Sequence, residues 1–168
     1  MSGRRVFFSF NYQQDIWRAA NVRKAGTLDV VARAGWTDAS IWEEAKRKGD
    51  AEIRNLIDTA LKGTSVTVVL IGAETASRRW VTYEIDQSVQ RGNGVLGVRV
   101  HRIKDQDGRR SSRGLIPKAL FDGHYRVYDW DSAGLGRWVE RAAIDAGKPC
   151  LGHARKHCFT CRWLWWLS

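Results

Sequence analysis

The segment Val6-Phe7-Phe8-Ser9-Phe10 carries apolar side chains on both faces of an extended chain, a pattern that fits a central strand covered by helices on each side. A second run, Ser65-Val66-Thr67-Val68-Val69-Leu70-Ile71-Gly72, is β-branched, short and bounded by Gly63 and Gly72, and reads as another buried strand. Elsewhere the apolar spacing becomes helical. Residues 13–24 place Ile16, Ala19, Ala20 and Arg23 at helical intervals, and residues 51–61 align Ile53, Leu56, Ile57, Ala60 and Leu61 on one stripe. Residues 76–90 repeat Val81, Ile85 and Val89 every four positions, a stripe expected to face the sheet. Gly92-Asn93-Gly94 turns the chain into a strand over 95–100, residues 101–114 are polar and loop-like, and a strand over 125–130 leads into a helix over 132–146. A short strand near Val30-Val31 and a helix start at Asp38-Ala39-Ser40 complete the pattern. Strands alternating with helices predict an α/β fold with a mainly parallel sheet of four or five strands, helices on both faces, and ligands beyond the carboxyl ends of the strands, in the loops after Phe10, Thr37, Gly72 and Val100.

At 168 residues and 19.1 kDa, with 43% hydrophobic and 27% charged residues, the chain is sized for one domain with a single core. Its nine Trp exclude the disordered and low-complexity classes. The longest apolar stretch, 66–73, is far shorter than a bilayer span, and the apolar run after Arg4-Arg5 breaks at Ser9, too soon for a signal-peptide core. A cytoplasmic location and no membrane association are expected. Cys150, Cys158 and Cys161 are odd in number and do not make the paired framework of a small secreted domain. Lys plus Arg outnumber Asp plus Glu by 28 to 18, a net charge of +10, but the cations are spread over short clusters such as Arg4-Arg5, Lys46-Arg47-Lys48 and Arg78-Arg79. No reading helix or aromatic RNA platform accompanies them, so nucleic acid is not the expected partner.

Gly92-x-Gly94-x-x-Gly97 matches a dinucleotide fingerprint by letter, yet it follows a helix and enters a strand, the reverse of what a pyrophosphate cradle requires. No GxxxxGK(S/T), HExxH or GxSxG occurs, which removes phosphate-loop, metalloprotease and lipase-type chemistry. The informative segment is Ser77-Arg78-Arg79-Trp80-Val81-Thr82-Tyr83-Glu84-Ile85. Trp80 and Glu84 stand four apart near a helix start, side by side on a stripe next to the sheet-facing one, an aromatic plate beside a carboxylate. Two readings stand open: a surface Glu84 shielded by a half-buried Trp80 and paired with Arg79 or Arg91, or a functional acid.

In order along the chain, RRVFFSFNYQ, DASIWEEAK, TSVTVVLIG and RRWVTYEI resemble TIR domains, and in particular the TIR-like subunit of bacterial Thoeris antiphage defence systems, over roughly residues 4 to 130. Trp80 and Glu84 match the Trp and Glu of the family's S-x-W-C-x-x-E-L helix motif, with Val81 in place of the Cys and no clear counterpart of the family's mobile loop between the first helix and Asp38. The resemblance implies a flavodoxin-like three-layer sandwich, a TIR-like domain spanning 1–147, and cleavage of the nicotinamide glycosidic bond of NAD, which is a substrate here, with no cofactor. Members of the defence type make a cyclic or otherwise modified ADP-ribose, a diffusible nucleotide signal that activates a separate effector protein, and assembly as a homo-oligomer is a further implication. Matched by motif, Glu84 is the catalytic carboxylate and Trp80 an aromatic wall of the nucleotide pocket. A non-catalytic TIR-like interaction or nucleotide-sensing module is the alternative.

Departure of nicotinamide leaves positive charge on the ribose, which a fixed carboxylate stabilises, and cyclisation calls for aromatic walls that fold the dinucleotide and exclude water. Trp80, Tyr83, Trp42 and Phe10 are the candidates for those walls. Ser9 and Asn11, where the first strand meets its loop, could hold ribose or phosphate oxygens or be plain turn residues. Asp38 could bind a ribose hydroxyl or only cap its helix, and Arg78 and Arg79 could attract the pyrophosphate or stay solvated. Residues 148–168 fall outside the resemblance as a Cys/His/Trp tail of unassigned role. Within it Cys150, His153, His157, Cys158 and Cys161 are of types and spacings that could bind zinc, but a second well-spaced Cys pair is missing and no metal is expected.

Overall fold

The computed structural model, which describes residues 4–25, 31–32 and 39–147, contains strands β1 (Arg5–Ser9), β2 (Val31–Ala32), β3 (Val66–Ile71), β4 (Gly94–Arg99) and β5 (Val127–Asp129). Its helices are α1 (Tyr12–Ala25), α2 (Ala39–Lys48), α3 (Asp50–Leu61), α4 (Arg79–Gln90), α5 (Lys118–Asp122) and α6 (Leu135–Asp145). The strands pair in parallel in the order β2-β1-β3-β4-β5, with Val6 opposite Val66, Ser9 opposite Val69 and Val66 opposite Gly94. The chain steps outward from β1 to β2 and then returns past β1 to β3, so the order reverses between β1 and β3. That is the topological switch point at which doubly wound sheets open a crevice for ligands. The α/β, flavodoxin-like fold expected from the sequence is the one observed.

Alternation along the two central strands divides the core into layers. Val6 and Phe8 pack with Val66, Val68 and Leu70 against Ala19 and Val22 of α1 and Leu135, Val139 and Ala143 of α6. Phe7 faces the opposite side, with Ala45 of α2 and Ile53, Ile57 and Leu61 of α3, while Val69 and Ile71 meet Val81 and Ile85 of α4. Both runs are buried on each face because each face has its own helices.

Several elements depart from the sequence reading. α4 begins at Arg79 rather than 76, because a 3₁₀ turn, Thr75–Ser77, precedes it. There the Thr75 hydroxyl accepts from the Gly72 N–H at 2.9 Å and donates to the Leu70 carbonyl at 3.2 Å, tying off β3 before the helix starts. Val89 is 44% exposed, and Ser88 takes the inner position expected of it. The Ser88 hydroxyl donates to the Glu84 carbonyl at 2.6 Å and lies 2.7 Å from Thr67 Oγ1, so a polar seam replaces the apolar stripe in that turn. On α1, Ile16 and Ala20 are half-buried and Arg23 is exposed, whereas Asp15 and Arg18 are buried. The single-turn helix α5 has no counterpart in the sequence pattern.

Arg18 explains the inversion on α1, since residues 101–114 fold over it. Its guanidinium donates to the carbonyls of Ile103 at 3.0 Å and Arg109 at 3.2 Å, and to the carboxylates of Asp15 and Asp105 at 3.2 Å each. The polar loop is therefore a strap across the carboxyl ends of β3 and β4. At its far end Gly114 lies so close to Gly72 that a Cβ added there would stand 1.8 Å from the Gly72 carbonyl oxygen.

In the clusters Arg4-Arg5, Lys46-Arg47-Lys48 and Arg78-Arg79, at least one cation pairs with an acid. Arg4 makes two 2.8 Å bonds to Glu140, Lys48 pairs with Glu44 and Arg79 with Asp50. Among the described residues no helix is long and apolar enough to cross a membrane, and no three His, Cys, Asp or Glu side chains group as metal ligands would. Asp38 and the whole 148–168 segment with its Cys and His set lie outside the described residues. Substituting Gly114→Ala should lower stability by roughly 1–3 kcal/mol through overpacking against backbone, read as a reduced urea midpoint with faster amide exchange confined to 101–114; an unchanged midpoint would show that the strap does not bear on β3.

Candidate active site

Ser9 is the last residue of β1 and is fully buried, and across the sheet face from it α4 presents Glu84, only 8% exposed. Glu84 follows Val81 by three residues and precedes Ser88 by four, so it belongs to the inner face of the helix rather than to an outer stripe. The Ser9 hydroxyl donates to Glu84 Oε2 at 2.5 Å. Burial pushes the Glu84 carboxyl up from 4.5 to about 8, and the Ser9 donation, which favours the charged form, offsets part of that rise. The surface reading of Glu84 is overturned by the arginines offered as its partners: Arg79 bonds Asp50 at 2.6 and 2.8 Å, and Arg91 bonds Asp58 at 3.0 Å.

Glu84 reaches a small cavity of about 90 Å³ between the β1–α1 loop, α2 and the start of α4. Phe10, Asn11, Trp42, Arg78, Trp80 and Glu84 all line it, so six of the ten residues weighed from the sequence for the nucleotide site converge. Ser9 sits behind the wall with its hydroxyl committed to Glu84. Tyr83 turns to α3, donating to Asp58 Oδ2 at 3.2 Å, and braces the Trp80 ring edge-on at 5.9 Å. The Arg79 guanidinium stacks over the same indole, 4.6 Å from its centre, so Trp80 is held from two sides. Asn11 keeps the turn role weighed for it and adds a contact to Arg78. Its backbone carbonyl accepts from Gln14 and Asp15 at the start of α1, and its side-chain oxygen, turned to Arg78, accepts from Nη2 at 3.1 Å and Nε at 3.2 Å.

Sequence reasoning missed Tyr12, Gln13, Lys46 and Val81 on this wall. For Lys46 a signal was present, because it stands one helical turn beyond Trp42 on α2 and shares its face. A larger hollow of about 460 Å³ lies by the amino ends of β4 and β5, bordered by Tyr128, Trp138 and the end of α6. It is at the wrong end of the sheet for a switch-point ligand, and its one carboxylate, Asp145, is exposed and paired with Arg141.

A desolvated acid backed by one hydroxyl and faced by aromatic rings can stabilise a cation that forms within the cavity, since the low-dielectric surroundings strengthen the attraction. Residues 7–105 match the family described as "Thoeris protein ThsB, TIR-like domain". A protein of Bacillus cereus (strain MSX-D12) named "Putative cyclic ADP-D-ribose synthase ThsB1" is 38% identical over 146 residues, spanning 82% of this chain and 74% of its own length. The chain thus belongs to the TIR-like domain family of the Thoeris protein ThsB.

Proposed function

We propose that this chain cleaves the bond between nicotinamide and ribose in NAD and closes the remaining ADP-ribose into a cyclic or otherwise modified nucleotide that signals to a separate effector protein. The observation that carries the reading is the buried Glu84 carboxyl, bonded to Ser9 and opening onto an aromatic-walled cavity at the switch point. The name of the 38% identical relative, a cyclic ADP-D-ribose synthase, supports the same reaction class.

In the reaction the glycosidic bond breaks with its electron pair passing to the pyridinium ring, so nicotinamide leaves neutral and positive charge remains on the ribose. With its carboxyl lifted to about 8, Glu84 is largely protonated in the empty cavity at neutral pH. The positive pyridinium of bound NAD favours the ionised form, so the anion is generated beside the ring whose departure it must support. Ser9 occupies Oε2 and leaves Oε1 for the sugar. Phe10, Trp42 and Trp80 exclude water, which gives a nucleophile on the adenosine half time to reach the cation first. That nucleophile loses a proton on ring closure, and Glu84 is the base in the wall able to take it.

Glu84→Gln keeps the shape and removes the charge, so nicotinamide release from NAD should fall by at least about 100-fold with the circular-dichroism spectrum unchanged; turnover near the wild-type rate would refute the role. Wild-type kcat/KM should climb with pH toward a plateau with a midpoint near 8, and the midpoint of kcat should lie lower because the bound pyridinium favours the anion. A profile flat from pH 6 to 9 would contradict the assignment. Stability carries the same signature. A carboxyl raised from 4.5 to about 8 favours the fold fully below pH 4.5 and loses that contribution as pH rises through 8. Glu84→Gln, which does not ionise, should therefore gain on the wild type across that window, by up to about 4 kcal/mol at ~1.4 kcal/mol per pH unit, measured as urea unfolding at pH 5 and pH 9.

A further inference from the structure

We propose that Arg78 and Lys46, the two cations on the cavity wall, form the subsite for the diphosphate of the dinucleotide, and that Asn11 is the positioning residue for Arg78. The proposal rests on NAD being the substrate. A cavity of about 90 Å³ is far below the roughly 300–1,000 Å³ that encloses a drug-sized ligand, so it seats one ring of a dinucleotide and the rest must cross its rim. Arg78 and Lys46 stand at that rim, on the start of α4 and on α2, and Glu84 is the only acid among the lining residues. A wall with two cations and one buried acid suits a ligand that is anionic in its middle and cationic at the end that enters.

Each cation has a partner it can exchange. Lys46 bonds Glu43 at 2.8 Å and Arg78 bonds Glu74 at 2.8 Å, both of these acids being exposed and their ion pairs weak in water. The adjacent arginine is different: Arg79 is doubly bonded to Asp50, stacked on Trp80 and off the cavity wall. Asn11, 4% exposed, accepts from both Nε and Nη2 of Arg78 and so fixes the plane of the guanidinium. That plane is what a bidentate contact to phosphate oxygens requires. α4 adds the positive end of its dipole, with no side-chain cap and no acid in its first turn.

The test compares NAD with nicotinamide riboside, which has the same scissile bond and no diphosphate, and titrates inorganic pyrophosphate as a direct probe. Arg78→Gln should cut the preference for NAD over the riboside, as a ratio of kcat/KM values, by at least about tenfold, chiefly through KM for NAD. Lys46→Gln and Asn11→Ala should act in the same direction by about threefold or more, whereas Arg79→Gln should keep the ratio. Pyrophosphate should bind the wild type in low salt and bind Arg78→Gln at least about tenfold more weakly. The subsite is overturned if Arg78→Gln lowers both substrates equally or if pyrophosphate binds wild type and variant alike. Absence of nicotinamide release from wild type in every condition would instead remove the NAD reading, while Arg78-dependent pyrophosphate binding would still support the anion subsite.

Discussion

The carboxyl group of Glu84 is set into the interface between a helix and a sheet, and the hydroxyl that answers it comes from the last residue of the first strand. Nearly everything about the candidate site follows from bringing those two groups together. β1 must end at Ser9, β3 must run beside it in the register that places Val69 opposite, and α4 must cross with Val81 and Ile85 inward so that Glu84 follows them. Burying an acid with a single donor disfavours its charged form, which is why its proton is held to about pH 8. A well-packed apolar residue there would serve the core better, and retention of the acid is the kind of local conflict expected where a fold carries chemistry.

The surroundings keep the conflict local. Ser88 and Thr67 close a neighbouring hydroxyl pair deeper in the same interface, so the polar seam continues with partners rather than with voids. On the outer side Trp80 is braced by Tyr83 and Arg79, and these are in turn held by Asp58 and Asp50 on α3. Short ion pairs thus fix side chains around the cavity.

What could be read from the sequence was set by how local the cause was. β1 and β3 were legible because apolar residues on both faces have one structural solution, and the strand–helix alternation then fixed the parallel sheet. The Trp80 and Glu84 pairing was legible as a spacing, but the inward direction of Glu84 was not, because Val89 looked the better candidate for the buried stripe until Thr67 supplied a partner for Ser88. Tyr83 looked like a wall residue by type, and only Asp58 on another helix draws it away. Arg78 and Arg79 are adjacent and chemically identical, and it takes Asp50, distant in sequence, to separate them. The start of α4 was displaced by one threonine hydroxyl, and the inner face of α1 by a strap contributed from residues about 90 positions later.

That strap gives the molecule a handedness of approach. With Arg18 pinning its middle and Gly114 seated on Gly72, the ends of β3 and β4 are roofed over. Among the described residues the open side of the crevice is the one bordered by Phe10, Trp42 and Trp80. A molecule seated in the cavity crosses that lip, so whatever covers it bears on entry and exit alike.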